Sequence, residues 1–201
     1  MISVGARYNG FSVFLGLAIV SSTLVLGAQE RGTQNGEWPS YGGDLAHTRY
    51  SPLDEINGDN FNDLEVAWRF RTDNFGPTPE FRFQSTPLMV NGVLYTTAGT
   101  RRAAVALDAA TGELLWFHRY DEGERGAAAP RRLSGRGLTY LDDGGDGKIF
   151  YVTPGYRLIG LNAVTGQRLD DFGDDGIVDL KTELDQDIDL VTGKLVCMQH
   201  P

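Results

Sequence analysis

Few residues of this 201-residue sequence have the types and spacing that metal or redox chemistry requires. Asp142, Asp143 and Asp146 stand in a glycine-rich run that is similar to the start of a calcium-binding loop. Such a loop also needs acidic ligands at its third and twelfth positions, which here hold Gly144 and Thr153. Because those carboxylates are missing, we predict a solvated hairpin turn instead of a calcium site.

The histidines and the cysteine do not suggest a metal site either. His47, His118 and His200 are far apart in the chain and lack the spacing of metal ligands. Cys197 is the single cysteine, which excludes an internal disulfide framework, and we interpret it as a small buried hydrophobic residue. We expect His118 to lie on a strand face beside Trp116.

Composition excludes further classes of protein. Lysine and arginine number 18 against 27 aspartate and glutamate residues, for a net charge of −9, and no basic run exceeds two residues. Nucleic-acid binding is therefore not expected. The hydrophobic content of 41% is that of a globular protein, and the 26 glycines favour many tight turns over a helical bundle.

The first 28 residues are typical of an export signal. Arg7 precedes an uncharged apolar run at 11–28, and polar sequence begins at Gln29. We predict that residues 1–28 are a signal peptide cleaved after Ala28, or else a membrane anchor, since such a run can just span a bilayer. Either alternative places the rest of the chain outside the cytoplasm.

Short β-like runs separated by glycine, asparagine and aspartate predict an all-β fold. No stretch has the 3.6-residue apolar period of a helix over three turns. The predicted strand runs are Leu64–Phe70, Pro87–Thr97, Ala103–Leu107, Leu114–Arg119, Ile149–Thr153 and Arg157–Leu161.

Two of these segments, 90–116 and 146–169, repeat one another, and a weaker copy lies at 190–195. Asp108 aligns with Asn162 at an offset of 54 residues. Repeats of roughly 50 residues that consist of short strands indicate the blades of a β-propeller.

Aromatic residues extend the repeat. We align Tyr95 with Tyr151 at an offset of 56 residues, and Trp68 takes the place in an earlier copy that Trp116 occupies. Trp116 is large enough to pack between adjacent sheets. Gly112 precedes it where the hairpin turn requires a positive φ.

The run from Ala106 to Trp116, with Asp108, Thr111 and Gly112 between them, resembles the tryptophan-docking motif of the quinoprotein dehydrogenases. Further segments agree with this family in their order along the chain: 38–44, 49–53, 64–68, 85–88, 135–137 and 172–180. The last of these is most similar to the branch near glucose, polyol and sugar dehydrogenases. The resemblance implies an eight-bladed β-propeller that binds pyrroloquinoline quinone (PQQ) near its axis.

The resemblance also implies how the chain is organised. Residues 1–28 are the signal peptide or anchor, residues 29–63 an N-terminal prelude, and residues 64–201 a partial propeller with only the first two to three blades. Eight blades of ~50 residues need ~400 residues. We therefore expect this chain to be the N-terminal part of a longer protein, and the fragment alone to be inactive.

By the same resemblance, the protein is a periplasmic dehydrogenase that oxidises a small alcohol or sugar and passes reducing equivalents to PQQ. A membrane quinone or cytochrome c is the implied electron acceptor. In the family Ca²⁺ polarises the quinone, and an aspartate acts as the base. The calcium ligands and this base are expected beyond residue 201, so no catalytic or metal-binding residue is assigned here.

Three residues are assigned to the PQQ site through the resemblance. Arg136 matches an arginine that contacts PQQ, and its planar guanidinium suits carboxylates and quinone oxygens. Gln84 stands where relatives often have a glutamate, and Thr153 matches a hydroxyl contact. The vicinal disulfide of several relatives is absent, because residues 122–132 contain no cysteine.

Two alternatives remain open. A non-catalytic propeller with the same blade motif would serve as a scaffold for protein–protein docking, and a truncated product would be inactive. Residues 38–53 and the Gly135–Gly137 loop favour the enzyme, because a scaffold has no quinone pocket to line.

Overall fold

The computed structural model describes residues 32–78, 80–133, 135 and 137–196. The predicted signal peptide, Arg136, Cys197 and His200 lie outside these residues. In the described part of the chain, eight strands form two four-stranded antiparallel sheets, each with its strands in sequence order. This confirms the all-β prediction.

The first sheet contains β1 (Leu88–Val90), β2 (Val93–Ala98), β3 (Ala103–Asp108) and β4 (Leu114–His118). The second sheet contains β5 (Thr139–Leu141), β6 (Lys148–Val152), β7 (Arg157–Asn162) and β8 (Ile177–Asp179). A short helix, α1 (Gly123–Ala128), lies between the sheets in the chain, and a 3-10 turn spans Phe61–Asp63. None of the helices described is long and apolar enough to cross a membrane.

One turn geometry occurs three times. The Asp108 Oδ1 atom accepts hydrogen bonds from the Thr111 amide and hydroxyl, both at 2.8 Å. Asn162 makes the same pair of bonds to Thr165 at 2.9 and 3.1 Å. Asp189 makes the same pair of bonds to Thr192, so the weak repeat at 190–195 has the same turn.

Tryptophan side chains join the turns at Asp108 and Asn162 to the preceding segments. The Trp116 Nε1 atom donates to the Ala163 carbonyl at 2.8 Å, and its ring lies where a Cβ on Gly166 would be 2.6 Å away. Trp68 repeats this arrangement: its Nε1 atom donates to the Ala109 carbonyl at 3.0 Å, and its ring covers Gly112. The structure thus confirms the prediction that Trp68 and Trp116 are equivalent.

The core lies between the two sheets. The inner strand β3 is buried from Ala103 to Leu107, and its small alanines leave room for Trp116 and Tyr95 against the second sheet. The Tyr95 hydroxyl donates to the Ala163 carbonyl at 3.3 Å. From the other side, the Tyr151 hydroxyl lies 3.0 Å from the His118 Nδ1 atom. His118 therefore lies on the strand face beside Trp116, as the sequence predicted.

Pairing register corrects the alignment of the two tyrosines. Val93 pairs with Asp108 in the first sheet, and Lys148 pairs with Asn162 in the second. Tyr95 is therefore equivalent to Phe150, and the alignment of Tyr95 with Tyr151 is wrong by one residue. Because side chains alternate between sheet faces, that single step puts the two tyrosines on opposite faces.

The prediction of a strand at Leu64–Phe70 is also wrong for the residues that the structure describes. This segment is extended, but no strand among the described residues pairs with it, and Leu64 and Val66 are exposed. Its sequence suits a strand, yet a strand needs a partner for its backbone groups. Trp68 joins the segment to the first sheet by a hydrogen bond, and the Phe70 ring contacts Phe75, which stacks on Phe117 of β4.

The acidic run at 142–147 is a hairpin turn between β5 and β6, as predicted. The Asp142 Oδ1 atom accepts a hydrogen bond from the Gly144 amide at 2.9 Å. The Asp143 Oδ1 atom accepts bonds from the Gly145 and Gly147 amides, and these bonds lower the pKa of Asp143. The carboxylates of Asp142 and Asp143 thus accept hydrogen bonds from the backbone amides of the turn.

Candidate functional site

A cavity of about 1360 Å³ opens at the ends of β2, β3, β6 and β7. Its walls come from the stretch before β1 (residues 77, 78, 81, 82 and 84), the β2–β3 turn, the region around α1, and the β6–β7 turn. Two of the residues assigned from the sequence, Gln84 and Thr153, line this cavity. Arg136 is outside the described residues, but Gly135 and Gly137 on either side of it both line the cavity.

Gln84 is exposed and lines the cavity at the end of the stretch that precedes β1. The next residue, Ser85, anchors this segment, because its hydroxyl accepts hydrogen bonds from Thr96 at 3.0 Å and Thr97 at 3.1 Å on β2. The Gln84 amide is thus held at the cavity surface, where it can donate and accept hydrogen bonds. Its contact with PQQ stays a prediction.

Thr153 lies in the wall and is 2% exposed. Its hydroxyl donates to the Glu122 Oε1 atom at 2.6 Å and accepts a bond from the Arg157 amide at 3.0 Å. A hydroxyl has one proton, and here that proton already has a partner. Thr153 can therefore offer only a lone pair to a ligand in the cavity.

Basic side chains dominate the cavity although the whole chain is acidic. The arginines that line it are Arg82, Arg101, Arg102, Arg131 and Arg132, against the acidic residues Asp121 and Glu122. Arg101 lies 3.7 Å from Asp121. Among the described residues, no carboxylate lies within ion-pair distance of the other exposed arginines, Arg82, Arg131 and Arg132. Such a concentration of unpaired guanidinium groups attracts an anion.

Arg102 has a structural part in the same cavity. Its guanidinium donates to the carbonyls of Leu133 at 3.1 Å, Val152 at 2.8 Å and Arg131 at 3.3 Å. Burial lowers the pKa of Arg102. A Cβ on Gly135 would be 2.5 Å from the Arg102 Nε atom, so only glycine fits at this point of the loop. Arg102 thereby joins the loop that leads to Arg136 to the end of β6.

The sequence did not predict the roles of Glu122, Arg125 and Asp179, whose side chains hold the cavity wall in place. Glu122 accepts the Thr153 proton, and Arg125 forms a bidentate ion pair with Asp179 at 2.6 Å. Hydrogen bonds from Arg125 lower the pKa of Asp179 to about 2. These partners are 31 to 54 residues apart in sequence, so no local spacing could reveal them. The available signal was the three charged residues Glu122, Glu124 and Arg125 in a segment, 122–129, that otherwise contains only glycine and alanine.

The residues present fit PQQ better than they fit a metal ion. PQQ is a planar, carboxylate-bearing quinone, and planar guanidinium groups pair with both carboxylates and quinone oxygens. Within the part of the chain that the structure describes, no group of three or more histidine, cysteine, aspartate or glutamate residues could hold a metal ion.

Known proteins share this architecture and much of the sequence. A family model described as "PQQ: Glucose/ethanol/alcohol dehydrogenase, beta-propeller domain" matches residues 38–200. The dehydrogenase subunit of the quinone-type alcohol dehydrogenase of Gluconobacter oxydans is 40% identical over 156 residues, which cover 76% of this chain and 18% of that protein. Quinoprotein glucose dehydrogenase A of Acinetobacter calcoaceticus is 32% identical over 172 residues, which cover 75% of this chain and 21% of that protein.

Solved structures also match this chain. The quinohemoprotein alcohol dehydrogenase of Pseudomonas putida HK5 matches with a TM-score of 0.55 and 31% identity, covering 73% of this chain and 20% of that chain. A europium-containing methanol dehydrogenase matches with a TM-score of 0.52 and 29% identity, covering 65% of this chain and 22% of that chain.

The two sheets are therefore blades of a quinoprotein-type β-propeller, of which this chain covers only part. The chain belongs to the PQQ-dependent glucose, ethanol and alcohol dehydrogenase family. It spans about a fifth of the length of the curated relatives described above.

Proposed function

We propose that this chain supplies two blades and one wall of the cofactor site of a periplasmic, PQQ- and calcium-dependent dehydrogenase. The enzyme oxidises a hydroxyl group of a small alcohol or sugar. Its electrons pass on to a membrane quinone or a cytochrome c. The observation that carries the proposal is the arginine-lined cavity, in which Gln84 and both neighbours of Arg136 come together.

The residues of this chain bind and orient the cofactor in this proposal. Arg82, Arg131 and Arg132 have no carboxylate partner among the described residues, so they are free to hold the carboxylates of PQQ. The Gln84 amide hydrogen-bonds the cofactor without adding a negative charge beside it. The cofactor held by these residues would supply the hydride acceptor for oxidation of the substrate hydroxyl.

The arginines provide a direct test in the protein expressed from its complete gene. We expect Arg132→Ala and Arg136→Ala each to weaken PQQ binding by roughly threefold to tenfold, the usual effect of losing one partly exposed charge pair. Titration with PQQ, followed by quenching of tryptophan fluorescence, measures the dissociation constant. The effect should shrink at high salt, because salt screens exposed charges.

Arg69→Ala is the matched control, since Arg69 is exposed and does not line the cavity. Its PQQ affinity should equal that of the parent protein. A parent protein that does not bind PQQ would refute the proposal and favour the docking scaffold. Equal affinities for all three arginine variants would remove the cavity from the cofactor site.

A further inference from the structure

Glu122 holds the turn between β6 and β7 at the cavity wall. Its side chain is only 3% exposed. Its carboxylate accepts hydrogen bonds from the Thr153 hydroxyl at 2.6 Å, the Gly155 amide at 2.7 Å and the Arg157 guanidinium at 3.2 Å. A Cβ on Gly155 would lie 2.4 Å from this carboxylate, so the turn fits closely against Glu122.

Arg125 holds the same turn three residues further along the chain. Its Nε atom donates to the Gly155 carbonyl at 2.6 Å, and its terminal nitrogens donate to Asp179 on β8 and to the Tyr156 carbonyl. Gly155 is thus bound at its amide by Glu122 and at its carbonyl by Arg125. Both side chains come from α1 or the residue directly before it.

We propose that Glu122 is a positioning residue of the PQQ site, and that it fixes the turn at 153–156 as a rigid wall against which the cofactor lies. This inference rests on the proposed function of the cavity. Glu122, Thr153 and Tyr156 all line the cavity. The hydrogen bonds from Glu122 and Arg125 to the turn at 153–156 therefore connect elements that a ligand in the cavity would contact together.

The cost of removing this ion pair from water favours a role for Glu122 in positioning the turn over a role in stabilising the fold. Taking a carboxylate and a guanidinium out of water costs several kcal/mol per ion, which well-packed apolar side chains would avoid. A buried ion with three directed donors instead fixes the position of each donor. The same network also commits the Thr153 proton to the Glu122 carboxylate.

The test compares Glu122→Gln, Thr153→Val and the double variant in the protein expressed from its complete gene. Glu122→Gln keeps the size of the side chain and loses the ion pair with Arg157. Thr153→Val keeps the carboxylate and loses one of its three bonds. We expect each single variant to bind PQQ roughly tenfold more weakly. The double variant should be little weaker than either single variant, because both act through one network.

Hydrogen–deuterium exchange of the peptide that spans residues 153–157, measured without PQQ, gives an independent readout. Exchange should become faster in Glu122→Gln, because the Gly155 amide loses its charged acceptor. Glu124→Gln is the matched control, since Glu124 is exposed and two residues away on the same helix. It should change neither affinity nor exchange.

The outcomes separate this inference from the proposed function. Parent protein that binds PQQ, with Glu122→Gln and Thr153→Val binding equally well, would overturn the positioning role and leave the function intact. If Glu122→Gln does not fold, exchange of the 153–157 peptide in Thr153→Val without PQQ decides, because Thr153 is itself a predicted PQQ contact; unchanged exchange would overturn the positioning role. Parent protein that does not bind PQQ would overturn both.

Discussion

His118 is a histidine held neutral between two sheets. Its Nδ1 atom lies 3.0 Å from the Tyr151 hydroxyl, and the two rings meet edge to face. Burial, with a smaller contribution from Arg168, lowers the pKa of His118 from 6.5 to about 4. Burial also raises the pKa of Tyr151, so the pair is uncharged at neutral pH.

Stability should therefore fall as the pH is lowered from about 6.5 to about 4. In that window the unfolded chain binds a proton on this histidine and the folded chain does not, so protonation favours unfolding. Above pH 6.5 the stabilisation is fully present. The midpoint of urea unfolding, measured between pH 7.5 and 4.5, reports the change.

His118→Gln should flatten this part of the pH profile, whereas His47→Gln should keep it, since His47 is exposed. Asp179 contributes little between pH 7.5 and 4.5, because its effect on stability falls mainly between its unfolded pKa of 3.8 and its folded pKa of about 2. An unchanged slope in His118→Gln would show that another group titrates in this range.

At the scale of elements, glycine and tryptophan join one blade to the next. Gly166 and Gly92 have similar backbone conformations, with φ of +70° and +77°. A Cβ on Gly166 would lie 2.6 Å from the Trp116 ring, whereas a Cβ on Gly92 would meet nothing within 4 Å. This pair of glycines separates the cost of a strained φ from the cost of lost docking.

We expect Gly92→Ala to destabilise the fold by about 1 kcal/mol, the usual strain of a left-handed residue with a Cβ. Gly166→Ala adds displacement of Trp116, and should destabilise by about 3 kcal/mol. Urea unfolding followed by tryptophan fluorescence measures both variants. Equal losses would mean that the Trp116 contact contributes nothing beyond the backbone strain.

The third copy of the turn replaces the tryptophan with a lysine. The Asp189 Oδ1 atom accepts bonds from the Thr192 amide at 2.6 Å and hydroxyl at 2.9 Å, as in the other copies. The Lys181 Nζ atom donates to the Leu190 carbonyl at 3.0 Å, the position that corresponds to Ala109 and Ala163. Its Cε atom lies 3.6 Å from a Cβ built on Gly193. One turn thus accepts either an indole or an ammonium donor.

Local sequence predicted those elements whose information is local. The turns at Asp108 and Asn162 carry their own acceptor and glycine, so β3, β4 and β7 were predicted within one residue of their bounds, whereas the short strands β5 and β8 were not predicted. Pairing is not local: nothing near Tyr95 says that Phe150 is its equivalent. Glu122 was missed for the same reason, because its partners arrive only when β6 and β7 fold against α1.

At the scale of the whole molecule, one segment has no strand partner among the residues that the structure describes. Trp68 docks on the first sheet in the way that Trp116 docks on the second, so Leu64–Phe70 takes the place of a fourth strand of another sheet. No other strand of that sheet is among the described residues. Its exposed Leu64 and Val66 are then surfaces that a completed propeller would cover.

This incompleteness leads to a prediction about activity. Eight blades of ~50 residues exceed the length of this chain, and stacked repeats need their neighbours to bury a continuous core. We expect the 201-residue chain, supplied with PQQ and calcium, to show no dye-linked oxidation of ethanol, glucose or glycerol. The protein expressed from the complete gene should show such activity, and sequencing past codon 201 should reveal further blades with an aspartate base and calcium ligands. Measurable turnover by the 201-residue chain would contradict this prediction, and a stop codon directly after codon 201 would refute the enzymatic function.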